Sequence, residues 1–285
     1  MTVLFLCTGN TCRSPMAAAL FSNAYKKEEE FVVRSAGTAV FSNTSATPNA
    51  VAAAAALGAV CVSHHKSQPA TPELLAEVDL IICLAAGHVL QAAQHVPPAK
   101  LRVLGGGVAD PFGGSLENYH ACAAQINAAL PSLLPDIHCK AQIIPTEESH
   151  LPAIAQLERE VFTPPASEAK LHEKLNLDTC RMLTALLNSE AAGFIIVDEI
   201  AGEAFIDDLA VFPAYQRQGI ASALLGQAEV GAILRGCPKI HLEVRESNTP
   251  ARTLYEARGY QQVGRRKNFY QNPTEDAILY TLEFR

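Results

Sequence analysis

The run Val3-Leu-Phe-Leu-Cys-Thr-Gly-Asn-Thr-Cys-Arg-Ser-Pro15 joins a short apolar segment to a proline that opens an alanine-rich one. Val3–Leu6 reads as a buried strand. Pro15 to about Glu29 reads as a helix, with proline in its first turn and Ser14 as its cap. Between them lies CTGNTCRS, residues 7–14. A turn from the carboxyl end of a strand into a helix is where parallel α/β sheets bind ligands. Backbone N–H groups of such a turn and of the helix start converge and favour an anion, and Gly9 allows backbone geometry that other residues resist. The bare Cys-x5-Arg spacing is weakly specific in a chain with 8 cysteines; its place on this turn makes it informative. Cys7, near a helix start and Arg13, is expected to be a thiolate, with a pKa of roughly 3.5–7.5 against about 8.5 for free cysteine. Arg13 can grip two phosphoryl oxygens, Ser14 can donate to the thiolate, and Asn10 can brace the loop. Asp110, before Pro111 in a loop between a strand and a helix, is placed to protonate a leaving group and then to take a proton from water.

The same alternation continues through the first half. Strands are expected at Phe31–Ser35, Val60–Val62, Leu80–Leu84 and Leu101–Leu104. Helices are expected at Pro48–Leu57, from Thr71, at 88–95 and at Ser115–Leu134. Apolar strands separated by helices predict a three-layer α/β/α domain on a parallel four-stranded sheet. Residues 135–140 (PDIHCK) read as a short linker and give domains of 1–136 and 141–285. The second half reads as a strand at Ala141–Ile144, helices near 147–162 and 167–176, and strands at 180–187, 192–198 and 203–212. A helix at 217–234, a strand at Ile240–Arg245, a helix at Thr249–Arg258 and strands at 260–267 and 276–284 complete a mixed α/β domain with mostly antiparallel strands. The turn at 216–221 (QRQGIA) again delivers a strand to a helix N-terminus.

The bulk composition fits two globular domains. The chain has 285 residues, 49% hydrophobic and 18% charged. Net charge is −7. Residues 1–140 carry 8 basic and 9 acidic groups and residues 141–285 carry 14 and 20, so no direct nucleic-acid partner is expected. The cysteines and 9 histidines show no paired metal spacing, and neither site is expected to need a metal. Cys61 and Cys83 lie in apolar runs and read as buried thiols. With no signal-like start and no run of 18 apolar residues, no membrane association is expected, and the chain reads as cytoplasmic.

Residues 1–134 resemble the low-molecular-weight protein phosphatase family through CTGNTCRS, Arg34-Ser-Ala-Gly-Thr, Ala46-Thr-Pro-Asn-Ala and Asp110-Pro-Phe-Gly-Gly. The resemblance implies Cys7 as nucleophile, Arg13 as phosphate clamp, Ser14 as thiolate support, Asp110 as acid, and Thr8, Gly9, Asn10, Thr11, Cys12, Arg13 and Ser14 as the phosphate cradle. It also implies that Cys12 can resolve an oxidised Cys7 as a disulfide. Thr11 and Phe112 stand where tyrosine-directed members carry a branched aliphatic residue and a tyrosine, which resembles the protein-arginine phosphatases of the family. Residues 141–285 resemble the GNAT N-acetyltransferases. QRQGIA, Leu242-Glu-Val-Arg-Glu-Ser-Asn248 and Leu254-Tyr-Glu-Ala-Arg-Gly-Tyr260 carry this resemblance, and Arg265-Arg-Lys-Asn-Phe-Tyr270 points to the ribosomal-protein alanine N-acetyltransferases. It implies acetyl-CoA as co-substrate, held by Leu209, Val211, Arg217, Gln218, Gly219, Ile220, Ala221 and Asn248, with Glu243 as base and Tyr255 as acid. Phe162-Thr-Pro-Pro-Ala-Ser lacks the family's tryptophan. The expected whole is a bifunctional enzyme. It would dephosphorylate phosphoarginine in proteins through a phosphocysteine, and acetylate the N-terminal alanine of a ribosomal protein. The alternatives are a tyrosine phosphatase joined to a lysine or small-amine acetyltransferase, or one half serving as a non-catalytic binding module.

Overall fold

The computed structural model describes residues 1–25 and 31–285. It divides into two compact units, Met1–Leu133 with Phe284–Arg285, and Leu134–Glu283. Among the described residues no helix is long and apolar enough to cross a membrane.

The first unit runs β1 (Thr2–Cys7), α1 (Arg13–Ala24), β2 (Val32–Gly37), α2 (Pro48–Ala56), α3 (Pro72–Glu77), β3 (Leu80–Cys83), α4 (Ala86–Ala92), β4 (Leu101–Val103) and α5 (Leu116–Ala129). The four strands lie in the order β2-β1-β3-β4, all parallel. Val3 to Leu6 and Leu80 to Cys83 are buried, as strands covered on both faces require. Crossovers leave β1 toward β2 on one side, while β3 lies on the other, so the end of β1 is the switch point at which such sheets hold ligands. Thr47 and Ser115 cap α2 and α5 through side-chain bonds.

Three expectations change here. The segment at 60–62 is part of a 3-10 turn, Val60–His64, so Cys61 is exposed rather than buried. Helix α1 begins at Arg13 after Cys12 and ends at Ala24; the part of the expected helix at 26–29 lies outside the described residues. Ser14 is thus inside the helix rather than its cap, and its hydroxyl is taken by the loop.

The second unit begins with α6 (Leu134–His138), β5 (Gln142–Pro145), α7 (Leu151–Val161) and α8 (Glu168–Leu175). β6 (Cys180–Leu187), β7 (Glu190–Ile200), β8 (Glu203–Val211), α9 (Ile220–Leu234), β9 (Lys239–Arg245), α10 (Thr249–Ala257), β10 (Gln261–Tyr270) and β11 (Glu275–Glu283) follow. The sheet order is β10-β11-β9-β8-β7-β6-β5. Every pair is antiparallel except β8 with β9. Two-residue loops with both residues at positive φ, Asn188–Ser189 and Ala201–Gly202, join β6 to β7 and β7 to β8; that backbone matches the strand twist of tight hairpins. Leu151, Ile154 and Leu157 of α7 pack with Met182, Phe194 and Ile196 on one face. Helix α9 is apolar nearly all round because it is buried nearly all round.

The segment expected as a bare linker contains α6, and α6 is anchored. Asp136 accepts from Arg258 Nη1 at 3.2 and 3.3 Å, and Arg258 also binds Glu229 through Nη2 (2.7 Å) and Nε (3.0 Å) and donates to Ser222 Oγ at 3.1 Å. All three charged side chains are buried, which is tolerable because each guanidinium nitrogen has a partner.

Candidate active sites

In the first unit, the end of β1 turns through Thr8–Cys12 into α1. Asn10 takes a left-handed backbone, φ 53°, which asparagine adopts more readily than other non-glycine residues because its side chain can bond locally. Here four bonds hold it. Its Nδ2 donates to Ser14 Oγ (2.8 Å) and Ser35 Oγ (3.0 Å), its Oδ1 accepts from Gln68 N (2.9 Å), and its carbonyl accepts from His65 Nε2 (2.8 Å). The loop that results sets Ser14 Oγ 2.9 Å from Cys7 Sγ. Arg13, 6% exposed, donates to the Val108 carbonyl at 3.2 Å and to Asp110 Oδ2 at 2.6 Å. Asp110 Oδ1 also accepts from Phe112 N at 3.2 Å, which fixes the acid's loop. Phe112 itself is 74% exposed. Thr8 is exposed and Thr11 half-buried, beside the buried Cys7 and Cys12. Cys12 Sγ lies 3.3 Å from Tyr119 Oη and 3.6 Å from Thr47 Oγ1, and both Cys7 and Cys12 are free thiols.

In the second unit, β8 and β9 pair only from Ala204 to Ile206 against Ile240 to Leu242. A bulge at Asp207 then carries β8 away, so Leu209 and Val211 lie on a stretch of β8 that has no β9 pairing. Beyond it, Arg217 and Gly219 are both left-handed (φ 61° and 79°). Gly219 starts α9 without a side-chain cap, which leaves the helix N-terminus to be satisfied by an anion. A Cβ at Gly219 would run into the Pro135 carbonyl, so glycine is required by both torsion and space. Asn248 caps α10 by accepting from Ala251 N at 3.2 Å. Glu243 on β9 is paired with Arg266 Nη1 at 2.9 Å. Tyr255, on α10, is buried against Tyr260 and Tyr280 at centroid distances of 5.8 and 6.2 Å; burial pushes its phenol well up.

A family model described as low molecular weight phosphotyrosine protein phosphatase matches residues 2–143. One described as the acetyltransferase (GNAT) family matches residues 151–260. The protein-arginine-phosphatase of Bacillus subtilis (strain 168) is 38% identical over 143 residues, 47% of this chain and 94% of that protein. The ribosomal protein bS18-alanine N-acetyltransferase of Escherichia coli (strain K12) is 34% identical over 138 residues, 48% of this chain and 93% of that protein. The crystal structure of the ribosomal-protein-S18-alanine N-acetyltransferase from Escherichia coli aligns at 33% identity and a TM-score of 0.46, covering 50% of this chain and 93% of that one. The chain belongs to both families.

One expectation about the phosphatase unit is corrected. Cys7 is not held low: burial pushes its thiol up, against the lowering effects of the Ser14 hydroxyl, the backbone N–H groups of Ser14 and Asn10, and Arg13. The reason is that Cys7 is almost without solvent, and burial outweighs the lowering groups, among them Arg13, which is itself bonded to Asp110. Two groups escaped the sequence reading. His88, from α4, reaches the loop and bonds Thr8; a histidine just after the third strand was the available signal. In the acetyltransferase unit, burial, Glu158 and Asp207 push the Asp208 carboxyl up to about 7, next to Leu209. Tyr270 lies in the field of both Glu243 and Asp208. Adjacent acids on a strand, Asp207-Asp208, were the signal there. Among the described residues no group of three or more His, Cys, Asp or Glu is placed to hold a metal ion.

Proposed function

We propose that the chain is a bifunctional cytoplasmic enzyme, with an N-terminal phosphatase domain that prefers phosphoarginine in proteins and a C-terminal N-acetyltransferase domain that starts with α6 at Leu134. The observation that carries the first activity is that one loop end holds two hydrogen-bonded pairs, Cys7 Sγ with Ser14 Oγ at 2.9 Å and the neighbouring Arg13 with Asp110 Oδ2 at 2.6 Å. A bound phosphoryl dianion takes the Cys7 proton and draws Arg13 onto two of its oxygens. The thiolate attacks phosphorus, the P–N bond of phosphoarginine breaks, and Asp110 delivers a proton to the departing nitrogen. Water then attacks the phosphocysteine with Asp110 as base, and the Ser14 hydroxyl stabilises the departing thiolate. The polar Thr11 at the mouth favours a guanidinium over a phenol, since an apolar wall leaves the guanidinium's donors unpaired. Initial rates on phosphoarginine and phosphotyrosine peptides test this. The expected preference is for phosphoarginine, with Thr11→Ile shifting the ratio toward phosphotyrosine; a wild type that prefers phosphotyrosine overturns it.

For the second domain, the uncapped start of α9 and the parting of β8 from β9 fit the pyrophosphate and pantetheine of acetyl-CoA, with Arg217–Ala221, Leu209, Val211 and Asn248 as its contacts. Acetyl-CoA supplies an activated acetyl thioester. Glu243, through water, takes the proton of the acceptor α-ammonium, and Tyr255, kept protonated by burial, donates to the leaving sulfur. The acceptor is the N-terminal alanine of a ribosomal protein. This rests on the similarity of residues 141–285 to the bS18-alanine enzymes. Peptides with a free N-terminal alanine should be acetylated and N-blocked, lysine-containing ones should not; the reverse pattern supports a lysine acetyltransferase.

A further inference from the structure

His88 is a histidine buried beside the phosphate loop that the mechanism above does not use. It is 4% exposed, and its Nε2 lies 3.0 Å from Thr8 Oγ1. Its Nδ1 is buried without a hydrogen-bond partner. These two facts favour one tautomer. If Nε2 were the acceptor, Nδ1 would carry the hydrogen and leave a buried N–H unpaired, which proteins almost never tolerate; an unpaired acceptor is tolerated more readily. That assigns Nε2–H as the donor and Thr8 Oγ1 as the acceptor. Burial, followed by the charge of Arg13 and against that of Asp110, pushes the imidazole down to about 4, so it stays neutral at working pH.

The bond has a chemical consequence. A threonine hydroxyl has one hydrogen and two lone pairs. With one lone pair held by His88, the exposed Thr8 hydroxyl keeps a fixed orientation, one free lone pair and its own hydrogen at the loop surface. Thr8 adjoins Cys7, and Thr11 is the next hydroxyl along the loop. We infer that His88 is a positioning residue that orients the Thr8 hydroxyl as a second specificity determinant, its free lone pair accepting an N–H of the phosphoarginine guanidinium. A phenol ester has no such hydrogen and gains nothing from this acceptor. The inference rests on the phosphoarginine reading and extends it from Thr11 to a buried side chain at a distance from the loop in sequence.

The experiment compares His88→Leu, His88→Gln, Thr8→Val and the double variant His88→Leu/Thr8→Val on phosphoarginine and phosphotyrosine peptides. For His88→Leu, the ratio of kcat/KM for phosphoarginine to that for phosphotyrosine should fall about tenfold. The Gln variant, whose Nε2–H can replace that of the imidazole, should restore most of the ratio, and the double variant should be no worse than Thr8→Val alone. Nitrogen-15 NMR of the wild type should show His88 neutral with its hydrogen on Nε2. Equal losses on both substrates, additive losses, or a hydrogen on Nδ1 overturns the inference even where the wild type hydrolyses phosphoarginine. A wild type inactive on phosphoarginine refutes instead the reading on which it rests.

Discussion

The loop at 7–14 and the turn at 216–221 do the same backbone work: each carries a strand into a helix N-terminus and uses left-handed residues to do so. They differ in what holds them. Asn10 is left-handed because four hydrogen bonds to its own side chain and carbonyl hold it so, and the loop's reactive groups bond to one another. Gly219 is left-handed because it lacks a Cβ, and no side chain caps the helix behind it. A loop that makes and breaks a covalent bond needs individual side chains. A turn that only holds an anion needs a backbone shape.

That contrast can be broken by mutation. Cys7→Ser should lower phosphatase turnover by at least about 10³-fold and leave acetyl transfer at the wild-type rate. Loss of both in a folded protein would show that the two activities are coupled. Gly219→Ala should weaken acetyl-CoA binding by about tenfold or more in a titration, because the torsion and the Pro135 carbonyl both oppose a Cβ. Gln218→Ala keeps the backbone and should cost much less, about twofold; a larger loss would make the turn side-chain dependent like the first. Ser14→Ala should lower phosphatase kcat about tenfold by removing the donor to the thiolate.

The smallest expected effect is on the pH dependence of Cys7 alkylation by iodoacetamide. Only the thiolate reacts, and burial raises this thiol, so its rate should climb with pH to an inflection above that of a free cysteine, about 8.5. Asp110→Asn releases Arg13 from its 2.6 Å partner and should move the inflection down. A wild-type plateau already reached below pH 7 would restore the resting thiolate expected from the sequence.

Much of this was legible in the sequence because it is local. The strand-to-helix turns at 7–14 and 216–221 announce themselves by apolar runs, glycine and proline within a dozen residues, and Thr47 and Ser115 cap where their position suggests. What escaped depends on residues far apart. The resting state of Cys7 is set by its burial, and Arg13 meets Asp110, 97 positions away. The segment at 60–62 has the composition of a strand, yet it lies in a 3-10 turn, Val60–His64, with Cys61 exposed. His88 gains meaning only when α4 sets it against Thr8. The bulge at Asp207, which parts β8 from β9, has no signature apart from two adjacent acids.

Helix α6 has a consequence for how the acetyltransferase unit can be cut. The sequence suggests starting a fragment at 141, after the proline-containing stretch. Such a fragment discards Asp136 and leaves Arg258 Nη1 with Ser222 as its one remaining partner beside the Glu229 pair, and an unmet hydrogen bond of a buried charged group costs about 1–3 kcal/mol. That is a large share of a domain's stability. A fragment beginning at Leu134 keeps the carboxylate. Expression trials, recombination between homologues and any attempt to graft this domain elsewhere should therefore respect a seam at 133/134, seven residues before the one the composition suggests.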